Sequence, residues 1–185
     1  LGDVYKRQLF DRVVFTGNAR QLADCFPGVD ELRPFLPQIS ALRSHGTTSV
    51  LCRIDPNGYS WIYMPSPDHR SHRIICTGNF SRNNNNGDIT TATIEFSEQM
   101  TEEEIRRQLE LIPFSPSYLA HHWEEYTYPV QDASSRALIR ELKERLEPRG
   151  IYLLGRFAEW EYYNMDAAIG AAMDLDKRLD AELQP

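Results

Sequence analysis

GIYLLGRFAEWEYYNMDAAI spans residues 150–169. It opens as an apolar strand over 150–157 that runs onto Gly155-Arg156, passes through a short aromatic connection, and enters a helix beginning Asn164-Met165-Asp166. Asn164 can cap that helix, whose inward stripe would run Met165, Ile169, Ala172 and Met173. Such a unit gathers an arginine and several unpaired backbone N–H groups around one small volume. The positive end of the helix dipole favours an anion there, and phosphate or pyrophosphate is the obvious guest. The plainer reading of the same spacing is a helix packed on a strand, with Arg156 in a surface ion pair.

Upstream, Leu138, Leu142 and Leu146 recur at four-residue spacing, which predicts an amphipathic helix over 134–146, stopped by Pro148-Arg149-Gly150. RVVFT (12–16) reads as a strand closed by Gly17-Asn18. Leu22, Ala23 and Phe26 then suggest a helix, and Leu32, Leu36, Ile39 and Leu42 a second helical stripe, despite Pro34 and Pro37 near its start.

Between these lies a region of period 2, the mark of strands with one buried face. TSVLCRI (48–54) and YSWIYM (59–64) flank the turn-rich Asp55-Pro56-Asn57-Gly58, so an antiparallel hairpin is expected. HRIICTGNF (72–80), TTATIEF (90–96) and 118–128 supply further strands, 83–87 a polar loop, and Thr101 with Glu102–Glu104 a capped helix over 101–111. The expected class is α+β: a mostly antiparallel sheet of about five to six strands with packing helices, plus a terminal strand–helix unit that belongs to something else.

The chain has 185 residues, 41% of them apolar, enough for a real core. Its formal charge of −7 argues against a nucleic-acid partner. No apolar run approaches the roughly 20 residues that span a bilayer. Three scattered cysteines, Cys25, Cys52 and Cys76, suit a reducing compartment, so a soluble cytoplasmic protein is expected. LGDVYKRQ (1–8) lacks an initiator Met and resembles an adaptor-derived reading frame; it is expected to be a non-native leader.

GRFAEWEYYNMDAAI (155–169) resembles the carboxy-terminal flavin motif of UDP-galactopyranose mutases and their relatives among the FAD-dependent, amine oxidase-like oxidoreductases. The resemblance implies that Arg156 meets the FAD pyrophosphate and that Asn164, Met165 and Asp166 form the helix start whose backbone reaches the flavin. It also implies that Tyr162 hydrogen-bonds a substrate diphosphate. Three weaker matches follow the same chain order. RVVFTGNARQLADCF (12–26) resembles a strand and helix usually reading Tyr-Thr-Gly-Pro-Ile-Asp, SHRI (71–74) a strand whose arginine, here Arg73, binds substrate, and YTYPVQ (126–131) a Tyr-Pro pair that sets Tyr126 or Tyr128 near the substrate.

There are departures. Asn18-Ala19-Arg20 stands where the family has Pro-Ile-Asp, and WIYMPSPDHRSHRIICTGNFS (61–81) is closer to less characterised members than to the mutases. None of the ten glycines forms the GxGxxG that grips an FAD pyrophosphate after a first strand. The implied organisation is therefore a substrate-domain-like part over 9–147 and, over 148–185, a strand and helix completing an FAD-binding domain whose remainder lies upstream. The implied parent acts on a small-molecule substrate, a nucleotide-sugar, with FAD as cofactor; the piece alone is expected to be inactive. The same scaffold could instead serve an FAD-dependent oxidoreductase of the amine oxidase or protoporphyrinogen oxidase kind.

A reading from a different class is a stand-alone sheet-based binding module, against which an uncovered apolar face on the last helix would count. His69, His72, His121 and His122 form no recognised metal-ligand set, Cys76 sits in an apolar run without a base, and no pattern names a catalytic residue. Tyr59, Trp61 and Tyr63 alternate onto one face; core packing is their expected role, and lining a sugar or uridine pocket the alternative.

Overall fold

The structure, a computed structural model, describes residues 9–84 and 90–183. The expected leader at 1–8 and part of the 83–87 loop lie outside the described residues. In chain order the strands are β1 (Val13–Phe15), β2 (Ser44–Ile54), β3 (Trp61–Tyr63), β4 (Ser71–Ile75), β5 (Thr90–Phe96), β6 (Ser117–Pro129) and β7 (Ile151–Leu153). The α-helices are α1 (Leu22–Cys25), α2 (Leu36–Ser40), α3 (Glu102–Leu109), α4 (Ala133–Leu146) and α5 (Met165–Leu183). The class is α+β, as the sequence led us to expect. No described helix is long and apolar enough to cross a membrane.

The chain divides into two compact units, the first made of the described residues up to Arg43 and from Tyr128 onward, the second of Ser44–Thr127. In the first, β1 and β7 pair in parallel with Val13 opposite Ile151 and Phe15 opposite Leu153. Leu22, Leu32, Ile39, Leu138, Leu142, Leu146 and Trp160 share its core. The stripe at 138, 142 and 146 therefore packs as its spacing demands, and Asp132 caps α4 by accepting from the Ser135 backbone N–H at 2.7 Å. The stripe at 32–42 breaks into a 3₁₀ segment, Asp30–Phe35, followed by the short α2. Pro34 and Pro37 lack the N–H groups a continuous helix would use. Gly150 turns the chain into β7 at φ 73°, where a Cβ would stand 2.4 Å from the Asp11 carbonyl oxygen.

In the second unit the strand order is β3-β4-β5-β2-β6. This corrects the expected hairpin, because β2 and β3 are not neighbours. β2 instead pairs antiparallel with β5 over seven residues, from Thr48–Phe96 to Ile54–Thr90. The turn is held from elsewhere: the Asp55 N–H donates to the Phe114 carbonyl at 2.9 Å, and Asn79 Nδ2 donates to the Asn57 and Tyr59 carbonyls at 3.0 and 2.6 Å. A long strand gains more by pairing with a long strand than with three residues of β3.

The core of this unit joins Val50, Cys52, Ile74, Ala92, Ile94 and Phe96 to Ile105 and Leu109 of α3. α3 starts with a reciprocal capping box between Thr101 and Glu104. The alternation in β3 has the phase opposite to that expected. Ile62 and Met64 pack on the core, while Tyr59, Trp61 and Tyr63 are exposed. The inward stripe expected for α5 is also corrected. Met165 (85% exposed), Ile169 and Met173 face outward, and Leu175 is buried.

Candidate functional site

The 150–169 stretch builds a compact cluster in the first unit. β7 ends at Leu153, and Gly155 follows at φ 99°, a left-handed conformation that favours glycine. The loop then folds on itself. The Glu159 N–H donates to the Gly155 carbonyl at 2.9 Å, the Glu161 N–H to the Arg156 carbonyl at 3.0 Å, and Arg156 Nε to the Tyr163 carbonyl at 2.9 Å, joined there by Nη2. Trp160 sits at φ 51°, costly for a bulky side chain, yet its indole is 1% exposed and donates through Nε1 to the Val130 carbonyl at 3.2 Å. Burial and that hydrogen bond offset the strain.

The same segment ties the loop to the end of β6. Gln131 Nε2 donates to the Glu161 carboxylate, which also pairs with Arg136 Nε at 3.5 Å. This brings Tyr128 over Tyr162, with centroids 5.3 Å apart and planes 17° from parallel. The Arg156 guanidinium carbon lies 5.2 Å from the Tyr128 ring centre and 5.3 Å from that of Tyr162. Tyr128, 28 positions upstream of Arg156, is thus in contact with both Arg156 and Tyr162 of the loop.

Asn164, Met165 and Asp166 lie directly after Tyr163. α5 begins at Met165, the Asn164 carbonyl accepts from the Ala168 N–H at 3.0 Å, and Asp166 sits in the first turn. The donor set suits an anion bordered by aromatic surface, since it combines a guanidinium with the N–H-rich end of a 19-residue helix. Burial pushes the Tyr163 phenol up to about 12, aided by the nearby carboxylates of Glu159 and Glu161.

Two residues of this loop's support escaped the sequence reading. Glu159 is 8% exposed; its Oε1 meets Lys143 Nζ at 2.6 Å and its Oε2 accepts from the Gly155 N–H at 2.8 Å. Only the acidic residue amid the aromatics of 157–163 hinted at it, and Lys143 gave no signal in an otherwise ordinary helix.

Arg73 and Tyr126 belong to the second unit. Arg73 Nε and Nη2 hold the Glu95 carboxylate, which also lies 3.4 Å from His72 Nε2. The Arg73 guanidinium carbon is 4.8 Å from the Trp61 ring centre. Burial alone would raise the Glu95 carboxyl, but hydrogen bonds from His72 and Arg73 and their charge outweigh it and hold it below the usual range. The Tyr126 N–H donates to Glu124 Oε1 at 3.1 Å. Among the described residues no group of three or more His, Cys, Asp or Glu side chains is placed to hold a metal ion.

No family model and no curated protein matches the chain. Solved structures do. The crystal structure of reduced UDP-galactopyranose mutase matches at TM-score 0.71 and 19% identity, over 86% of this chain and 38% of that one. A putative protoporphyrinogen oxidase from Exiguobacterium sp. 255-15 matches at TM-score 0.64 and 14% identity, over 93% and 41%. A CLA-producing fatty acid isomerase from P. acnes matches at TM-score 0.61 and 16% identity, over 91% and 41%. The chain thus spans less than half the length of each. In fold, it corresponds to a portion of the architecture that these proteins share.

Proposed function

We propose that the chain is part of a flavin-dependent enzyme, akin to the UDP-galactopyranose mutases, that acts on a nucleotide-sugar in the cytoplasm. The observation that carries this reading is the Arg156 cluster: the segment resembling the flavin motif folds so that its arginine rests on two stacked tyrosines beside the start of α5. On this reading 148–185 completes an FAD-binding domain and 9–147 forms the substrate side, with the rest of the flavin site supplied by upstream sequence.

FAD, when bound, would supply the nucleophilic or redox centre. The chain's own groups would hold and orient. Arg156 would meet the pyrophosphate, and the backbone at Asn164, Met165 and Asp166 would meet the flavin. Tyr128 and Tyr162 would hold the substrate diphosphate while it gathers charge as a leaving group, and Tyr126 and Arg73 would be the substrate-binding residues that the second unit contributes. The outward apolar side chains Met165, Ile169 and Met173 support a parent larger than this chain over a stand-alone binding module. A second reading, an FAD-dependent oxidoreductase, draws on the TM-score of 0.64 to the putative protoporphyrinogen oxidase and keeps the same flavin contacts.

The test is to express the chain together with the sequence that precedes Leu9 in its gene and record the visible absorption spectrum. Oxidised-flavin bands, followed by turnover of a UDP-sugar under reducing conditions, are expected. A colourless, folded protein that takes up no added FAD overturns the flavoenzyme reading, and flavin bands without any action on UDP-sugars favour the oxidoreductase.

A further inference from the structure

A carboxylate as buried as that of Glu159 is costly unless both oxygens are engaged, and here each is engaged on a different element. Oε1 is held by Lys143 at 2.6 Å, and Lys143 projects from α4, whose Leu142 and Leu146 are fully buried. Oε2 accepts from the Gly155 N–H at 2.8 Å, while the Glu159 N–H donates to the Gly155 carbonyl at 2.9 Å. Both backbone groups of Gly155 therefore end on Glu159. Among the described residues, no atom beyond its chain neighbours stands within 4 Å of the place a Cβ would take, so no packing against that side of the glycine steers it. Glycine is the residue whose backbone wanders most freely, so these hydrogen bonds decide where the chain goes next, and the next residue is Arg156.

We propose that Glu159, anchored to α4 through Lys143, is a positioning residue that sets the place and direction of the Arg156 guanidinium. Its use to a pyrophosphate rests on the function proposed above; the positioning itself does not. A small displacement of a charged clamp is expensive because a guanidinium recognises an anion only in a fixed geometry.

Two measurements separate the claims. In ¹⁵N-labelled protein, exchange of the Arg156 Nε–H, which is bonded to the Tyr163 carbonyl, is compared between wild type and Glu159→Ala. Acceleration by about tenfold or more is expected while α4 amides stay protected; wild-type exchange in the variant overturns the proposal. If the alanine variant loses α4 protection, Glu159→Gln decides in the same way, with about threefold acceleration expected and wild-type exchange overturning the proposal. In the protein carrying its upstream sequence, FAD is titrated into wild type, Arg156→Ala, Glu159→Ala and the double variant. Because Glu159 acts through Arg156, the double variant should bind no more weakly than Arg156→Ala, to within about twofold; additive penalties overturn the proposal. A wild type that takes up no FAD defeats the flavin reading alone, and the exchange comparison still decides the positioning role.

Discussion

Tyr128, at the end of β6, stacks on Tyr162, in the loop before α5, with ring centres 5.3 Å apart and an interplanar angle of 17°. Residues 34 positions apart meet this way because Trp160 and Glu161 bind the Val130–Gln131 segment that follows Tyr128. Tyr162 itself is half exposed. Tyr162→Ala should therefore cost only about 0.5–1.5 kcal/mol of stability, the range of an aromatic pair, in a urea titration. On the proposed function it should weaken nucleotide-sugar binding by a larger factor than Tyr162→Phe, which preserves the stack and loses the hydroxyl. Equal affinities in all three proteins would remove Tyr162 from the site.

The Lys143–Glu159 pair gives an asymmetric prediction. Lys143→Met leaves a buried carboxylate with half its partners, at an expected cost of about 2–3 kcal/mol in urea unfolding. Adding Glu159→Gln to that variant should restore part of the loss, because a neutral side chain costs less to bury. No recovery would mean that the lysine acts by packing and not by charge.

Acid should weaken the protein partly through Glu95. Its carboxyl is held below its ordinary value by the hydrogen bonds and charge of His72 and Arg73, against the opposing effect of burial. A carboxylate with a lowered folded pKa contributes stability that is fully present above its unfolded value of about 4.3 and is lost as the pH falls through the folded value. Glu95→Gln should cost about 1.5–3 kcal/mol at neutral pH and flatten the acid limb of a stability–pH curve. An unchanged acid limb would show that the Arg73 pair contributes nothing net.

Burial pushes the Cys52 thiol up to about 12 and raises that of Cys76, whereas Cys25 is exposed. Because the thiolate is the reactive form, a thiol reagent at neutral pH should label Cys25 within the native protein and reach Cys52 and Cys76 only on unfolding. Mass spectrometry of the labelled peptides reads the result directly. Prompt native labelling of Cys52 would show that the sheet opens on that timescale.

Met165, Ile169 and Met173 form an outward apolar surface on α5. Ile169→Lys should change the thermal stability of this chain by no more than about 0.5 kcal/mol, as for other exposed positions. In the protein with its upstream sequence the same change should lower stability or flavin uptake, if that sequence covers the helix. A large loss in the present chain would contradict the outward placement.

What local chemistry can specify was legible along the chain. Period-2 and four-residue spacing located the main strands and α4, Thr101 with Glu104 marked the start of α3, and 155–169 carried the resemblance that led to the fold. Which strands became neighbours, and which way faces turned, depended on packing between elements distant along the chain. The 48–54 and 59–64 runs could form a hairpin locally, but β2 pairs with β5 because seven residues of matched register outweigh a short turn. Alternation in β3 gave the period and not the phase, so Ile62 packs inward and Trp61 outward, and the α5 stripe likewise turned out to face away. The support of Arg156 was illegible for the same reason. Lys143 and Glu159 meet across 16 positions, and a contact of that kind is fixed by how a helix packs beside a loop, a property that no local pattern of residues encodes.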